Sequence, residues 1–189
     1  MKRKKMMMLA AVVTVATSAF SVVERVDYSD SGSNVQRRRV ESEQRGYAVS
    51  GSSPVAFAIA PRLEWPSADC EVTGFRLSLF AGDHVDVYGL DLGVVGNFVK
   101  REVGGLQIGG LFNAVGEADC VFQVAVACNY CSGNFGGVQI GIVNITEKGR
   151  GLQFGLVNRA NLFYGVQVGL ANFNGASPVS FFPLVNCAF

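Results

Sequence analysis

The chain has 189 residues, of which 49% are hydrophobic and 16% are charged, and its formal net charge is +1. Without the four basic residues at positions 2 to 5, 12 Lys and Arg stand against 15 Asp and Glu, a formal charge of −3. A chain this mildly acidic lacks the basic patch of a nucleic-acid-binding protein. We therefore expect no nucleic acid among its partners.

The first 21 residues have the layout of a secretory signal peptide. The basic stub is followed by an apolar run and then by small residues at Thr17, Ala19 and Ser21. The apolar run is shorter than the roughly 20 residues that a membrane-spanning helix needs. The sequence therefore predicts export, with cleavage near Ala19 or Ser21.

The next segment, residues 22–53, is rich in Ser, Arg, Glu and Gly, and it has too little apolar content to form a core. We predict a flexible polar leader there and a repeat-built β domain over 54–189. Alternating segments at 54–63 and 74–82 predict the first strands. His84, the single histidine, follows them and is interpreted as a loop residue at the start of a strand.

From residue 89 onward one unit recurs six times. Its copies, GLDLG, GLQIG, VFQVA, GVQIG, GLQFG and GVQVG, begin at residues 89, 105, 121, 137, 151 and 165, and each continues to an Asn. The alternation is that of a β-strand, with aliphatic residues on one face and polar residues on the other. The predicted inward-facing positions are Asp91, Gln107, Gln123, Gln139, Gln153 and Gln167.

Charge is nearly absent from these strands. Residues 103–189 contain six charged residues, and all of them fall between the repeats or at their margins. A sheet with one solvated face normally carries charged side chains on that face. The aliphatic face is therefore expected to meet something other than water.

Two architectures fit this pattern. The first is an all-β antiparallel meander closed into a small outer-membrane β-barrel of about 8–10 strands, with the aliphatics in lipid. The second is a β-solenoid whose rungs of 14–16 residues stack their Gln and Asn side chains in ladders. The export signal, the uncharged strands and the aromatic segment FFPLVNCAF favour the barrel, whereas the near-identity of successive units favours the solenoid.

The spaced G-[LV]-Q-[IVL]-G-x-x-N units resemble those of the bacterial surface-repeat proteins, an exported and largely uncharacterised family. The resemblance covers about residues 74–189 and implies an outer-membrane or cell-surface location. It brings no catalytic residues with it. The chain departs from the family pattern at Asp91, which replaces Gln, and at Val121 and Ala125, which replace Gly.

Few residues suggest chemistry. Arg76 would share the inward face with Asp91 on the adjacent strand, which predicts an interior ion pair. The chain has five cysteines, and a disulfide between Cys128 and Cys131 of the CNYC motif is one interpretation, with apolar packing as the other. No motif predicts a nucleophile, a metal site or a cofactor, so we expect no enzyme.

The sequence thus predicts a non-enzymatic outer-membrane or cell-surface β protein with a structural or surface-interaction role. The alternative is a soluble β-solenoid, periplasmic or secreted, that acts as a binding or adhesion module. A narrow pore is a weaker extension of the barrel. Membrane lipid is the expected partner, together with an unidentified surface ligand or protein.

Overall fold

The computed structural model describes residues 49–61 and 63–189, and their regular structure is entirely β-strand. The predicted signal peptide and most of the predicted leader lie outside these residues. The strands are β1 (Gly51–Ala60), β2 (Leu63–Trp65), β3 (Cys70–Ser78), β4 (Asp83–Gly93), β5 (Gly96–Gly109), β6 (Phe112–Ala125), β7 (Cys128–Ile140), β8 (Val143–Phe154), β9 (Val157–Asn174) and β10 (Phe181–Ala188). β1 begins three residues before the predicted domain boundary at residue 54.

The all-β class is confirmed, but the predicted barrel is wrong and the β-solenoid alternative is confirmed. The strands form one sheet in the order β10-β9-β8-β7-β6-β5-β4-β3-β1-β2. Within the described residues, the seven pairs from β1–β3 to β8–β9 run parallel. Successive units lie in register, with Gln107 beside Gln123 and Gln139 beside Gln153. Alternation within a strand is the same for parallel and antiparallel neighbours, so it did not distinguish the two architectures.

Each coil has three segments, which are clearest in residues 151–164. The Gln segment (151–155) turns Gln153 inward, and the Asn segment (157–160) turns Asn158 and Ala160 inward. The charged segment (161–164) is named for the charged residues that other coils carry at the equivalent positions, and it turns Phe163 inward. Equivalent segments in the other coils lie one repeat length, 14 to 16 residues, earlier or later in the chain. The charged segments contain most of the charged residues beyond residue 99.

A glycine joins each charged segment to the next Gln segment in five coils. These residues, Gly89, Gly105, Gly137, Gly151 and Gly165, have φ values between 101° and 140°, a region that only glycine adopts readily. At Gly151 a Cβ would also overlap the carbonyl oxygen of Gly137 in the coil below. In the coil where Val121 replaces this glycine, the bend moves one residue earlier, to Cys120, with φ 51°.

A second bend separates each Gln segment from the following Asn segment. We expected one continuous strand from the first Gly of a unit to its Asn, but β7 ends at Ile140 and β8 begins at Val143. Gln139 and Asn144 are five residues apart, so a straight strand would place them on opposite faces. The bend allows both to face inward, and Asn144 Nδ2 donates across it to the carbonyl of Phe154 at 2.8 Å.

The interior has an apolar half beside its amide half. Most of its side chains come from the Asn and charged segments, and they include Val99, Val103, Val115, Ala118, Cys131, Phe135, Ala160 and Phe163. Val121, at the start of a Gln segment, joins them. At each end the parallel stacking gives way to an antiparallel strand, β2 against β1 and β10 against β9. A register shift around Pro183 interrupts the β9–β10 pairing, and such a break blunts an edge strand against further pairing.

Candidate interaction surface

The predicted inward-facing residues form one continuous ladder. Gln107, Gln123, Gln139, Gln153 and Gln167 are all fully buried. The last four of them each donate from Nε2 to the Oε1 of the Gln in the preceding coil, at 2.7 to 2.9 Å. The amide dipoles therefore point the same way along the whole column.

Asp91 and Arg76 close the N-terminal end of this ladder. Gln107 Nε2 donates to Asp91 Oδ2 at 2.8 Å, and a carboxylate, which only accepts, suits the last position of a chain of donors. Arg76 lies in the same column one strand earlier and donates from Nε and Nη2 to the two carboxylate oxygens, both at 2.7 Å. Asp91, which departs from the repeat, therefore anchors the ladder. The structure brings the predicted pair together in bidentate geometry, and both side chains are fully buried.

A second ladder runs beside the first with the opposite polarity. Asn97, Asn113, Asn129, Asn144 and Asn158 each donate from Nδ2 to the Oδ1 of the Asn in the following coil, at 2.8 or 2.9 Å. Because the two sets of amide dipoles are antiparallel, they partly cancel within the interior. One terminal acceptor in each ladder, Gln167 Oε1 and Asn97 Oδ1, has no hydrogen-bond partner among the described residues.

His84 is buried rather than in a loop, so its sequence interpretation was wrong. It lies beside Val99 in register and so belongs to the interior column. Its Nδ1 is 3.5 Å from Glu64 Oε2 and 3.5 Å from Arg76 Nη1. Burial, and next the charge of Arg76, lower the pKa of His84 to about 4. The histidine is neutral at pH 7 and inaccessible to a substrate.

The outer side of the Gln segments is an apolar sheet face. Two columns of side chains run along it through nine strands, and neither column contains a charged residue. The first column is Val55, Phe75, Leu90, Leu106, Phe122, Val138, Leu152, Val166 and Cys187, and the second is Phe57, Leu77, Leu92, Ile108, Val124, Ile140, Phe154, Val168 and Val185.

The bend between the Gln and Asn segments carries a third apolar column, which we name the keel. It consists of Leu79, Val94, Val126, Ile142, Leu156 and Leu170, with Gly110 at the equivalent position in one coil. Keel side chains are 48% to 65% exposed, more than Leu152 at 37% or Phe154 at 39% beside them. The keel is therefore the most prominent part of the apolar surface.

The apolar surface continues past the keel onto the Asn segments. Phe112, Cys128, Val143, Val157 and Ala171 point outward there, and Arg159 is a charged residue among their neighbours. With strands about 4.8 Å apart and residues about 3.3 Å apart, the two Gln-segment columns, the keel and the Asn-segment positions cover on the order of 700 Å². The largest apolar patch of a typical monomer is roughly 300–600 Å².

Beyond residue 99, and with Arg159 on the Asn segments as an exception, most of the charge lies on the side of the coil opposite the keel. A cavity of about 490 Å³ opens there, lined by Glu102, Glu117, Asp119, Arg150 and Tyr164 among others. Its wall mixes carboxylates with a guanidinium, and we assign it no ligand. In cross-section the coils are thus amphipathic, with a charged side and an apolar keel.

The proposed Cys128–Cys131 disulfide is not formed, because both cysteines are free. Cys128 lies on the outer side of β7 and Cys131 on the inner side, as expected for residues three apart in a strand. Burial raises the pKa of Cys131 to about 12 and that of Cys128 to about 11. Neither thiol is the thiolate that redox or nucleophilic chemistry requires.

Within residues 49–61 and 63–189, no group of three His, Cys, Asp or Glu side chains is arranged to hold a metal ion. The same residues contain no helix long and apolar enough to cross a membrane. Comparison of the chain with protein-family models, with curated proteins and with solved structures gives no match.

Proposed function

We propose that the chain is a non-enzymatic exported protein of the bacterial outer membrane or cell surface, and that it attaches to an apolar partner through its keel and the flanking apolar columns. Membership of the surface-repeat family is part of this proposal and is supported by the recurring Gln and Asn ladders. The solenoid fold favours a binding or adhesion module over an integral barrel.

The observation that carries the proposal is the outward position of the repeat's aliphatic residues. A globular protein of this composition would enclose them, but the coils enclose amides instead and leave Val126, Ile142 and Leu156 about half or more exposed. At about 25 cal/mol per Å², covering roughly 700 Å² of apolar surface gives on the order of 17 kcal/mol, before the cost of association. A partner that covers this surface is therefore strongly favoured.

The interior offers no observation in favour of catalysis or of conduction. His84 is buried and neutral, and burial keeps the thiols of Cys128 and Cys131 protonated, so none of these three groups is an accessible base or nucleophile. Side chains fill the coils along both amide ladders. We therefore do not propose a pore.

Retention on an alkyl-coated surface tests the proposal. Leu156→Glu places a charge on the keel, and Leu162→Glu makes the same substitution on the charged segment of the same coil, where Leu162 is similarly exposed at 41%. We expect Leu156→Glu to lose most of the retention and Leu162→Glu to keep it, with far-ultraviolet circular dichroism unchanged in both. Equal retention of the two variants would refute the keel as the contact.

A further inference from the structure

We infer that the partner covering the apolar surface is the hydrocarbon of a single membrane leaflet, with the solenoid axis parallel to the membrane plane and the keel pointing into the lipid. This inference rests on the proposed function and names the partner of the same surface. The identity of this partner follows from the chemistry, the shape, the dimensions and the backbone hydrogen bonding of the apolar surface.

The two Gln-segment columns and the keel offer a protein partner no charged or amide side chain to hydrogen-bond. Protein interfaces carry about one hydrogen bond per 100–200 Å² and a polar rim. The two Gln-segment columns and the keel present aliphatic, aromatic, thiol and glycine groups over nine strands, without a charged or amide side chain. Lipid acyl chains form no hydrogen bonds and therefore need none from the protein.

The shape of the surface argues against a second copy of the chain. A flat sheet face can be covered by an identical flat face, but here the most exposed residues lie on the bend, between two faces that point in different directions. A rigid partner that covers the Gln segments leaves Val126, Leu156 and Leu170 at its edge, although these are 51% to 65% exposed. A fluid phase can surround the bend on both sides.

The dimensions match one leaflet. The Gln segment from Gly151 to the keel at Leu156 spans five residue steps, about 16 Å at roughly 3.3 Å per residue. Half of a typical hydrocarbon core is about 15 Å. With the keel inserted, the charged segments of the same coils, including Glu147, Lys148 and Arg150, stay at or above the headgroups, as in other interfacial amphipathic elements.

The keel also meets the requirement that backbone groups in lipid be paired within the protein. Leu156 N donates to the carbonyl of Ile142 at 2.9 Å, and Ala171 N donates to that of Leu156 at 2.9 Å. Val94 N donates likewise to the carbonyl of Ser78 at 2.8 Å. These bonds run along the solenoid axis from coil to coil, so insertion of these bends leaves these three amides paired within the protein.

The test is flotation of the full chain with vesicles of a neutral phosphatidylcholine. We expect the wild type and Leu162→Glu to float and Leu156→Glu to bind at least tenfold more weakly. All three proteins share the same N-terminal residues, so a difference between the two variants reports on the keel. Equal flotation of the two variants would overturn the inference.

The depth of insertion into the bilayer is measured by the fluorescence of Trp65, the single tryptophan of the chain. Trp65 pairs with Phe57 at the end of the second column and is 64% exposed. On vesicles its emission should shift to the blue and be quenched by lipids brominated on the acyl chains. Unquenched, unshifted emission from floated protein would contradict insertion of this face.

A separate outcome distinguishes this inference from the proposed function. If the protein binds the alkyl-coated surface through Leu156 but does not float, and sediments in buffer as a dimer that Leu156→Glu dissociates, then a second copy covers the keel. In that case the apolar contact stands and the lipid assignment is wrong.

Discussion

The anchor of the Gln ladder gives the sharpest prediction about the interior. Asp91→Gln removes the carboxylate that binds the Arg76 guanidinium through two hydrogen bonds of 2.7 Å, and both residues are fully buried. A guanidinium cannot become neutral by losing a proton, so Arg76 remains a buried, uncompensated cation. Breaking a buried ion pair in this way costs about 3–5 kcal/mol of the free energy of unfolding.

Two further variants complete the cycle. Arg76→Gln leaves a carboxyl that still accepts a hydrogen bond from Gln107, so we expect a smaller loss, about 2 kcal/mol. The double variant Arg76→Gln/Asp91→Gln extends the amide ladder by two positions and should lie within about 1–2 kcal/mol of the wild type, because neutral replacement of a buried pair is often tolerated.

Urea unfolding of the four proteins, followed by far-ultraviolet circular dichroism, measures these differences. The expected coupling between the two positions is at least about 2 kcal/mol. If Asp91→Gln costs under about 1 kcal/mol, or if the double variant loses the sum of the two single losses, then the pair does not anchor the ladder.

Three further predictions concern the coil geometry and the buried histidine. Gly151→Ala should cost about 3 kcal/mol or prevent folding, since Gly151 has a φ of 127° and its Cβ would overlap the Gly137 carbonyl, whereas Gly51→Ala, which meets nothing within 4 Å, should be neutral in the same melts. Cys120→Gly should raise stability by about 1 kcal/mol because φ there is 51°, and a lower melting temperature would contradict this. His84 takes up a proton near pH 6.5 when unfolded but only near 4 when folded, so the wild type should lose about 3 kcal/mol as the pH falls through that window. His84→Gln should flatten this dependence, and an unchanged slope would show that another group causes it.

Much of the coil could be predicted from the recurring unit. The period, the inward Gln column and the pairing of Arg76 with Asp91 depend only on alternation and on the unit length. The direction of neighbouring strands could not be predicted in this way, because a strand such as GVQIG alternates identically in a meander and in a coil. Only the repetition of Gln at the same place, which a side-chain ladder requires, pointed to parallel stacking.

His84 and the bend at Gly141 and Ile142 were missed for separate reasons. Placing His84 in the repeat requires counting back one coil from Val99, but residues 79–88 lack the Asn that marks the other units. The bend was missed because glycine was expected to lie within a continuous strand. Its signal was the odd spacing between Gln139 and Asn144, since two inward amides five residues apart require a change of direction between them.

In this solenoid the ladder amides are enclosed between parallel coils, while the aliphatic residues of the repeat face outward. Nuclear magnetic resonance of the Gln153 side chain distinguishes this arrangement from an antiparallel one. We expect its side-chain amide protons to exchange slowly with solvent and to show through-space contacts to both Gln139 and Gln167, fourteen residues away on either side. An antiparallel hairpin with its turn near Glu147 would instead bring Ile142 next to Leu152. Rapid exchange of the Gln153 amide protons, together with backbone contacts between Ile142 and Leu152, would show that these strands are not parallel.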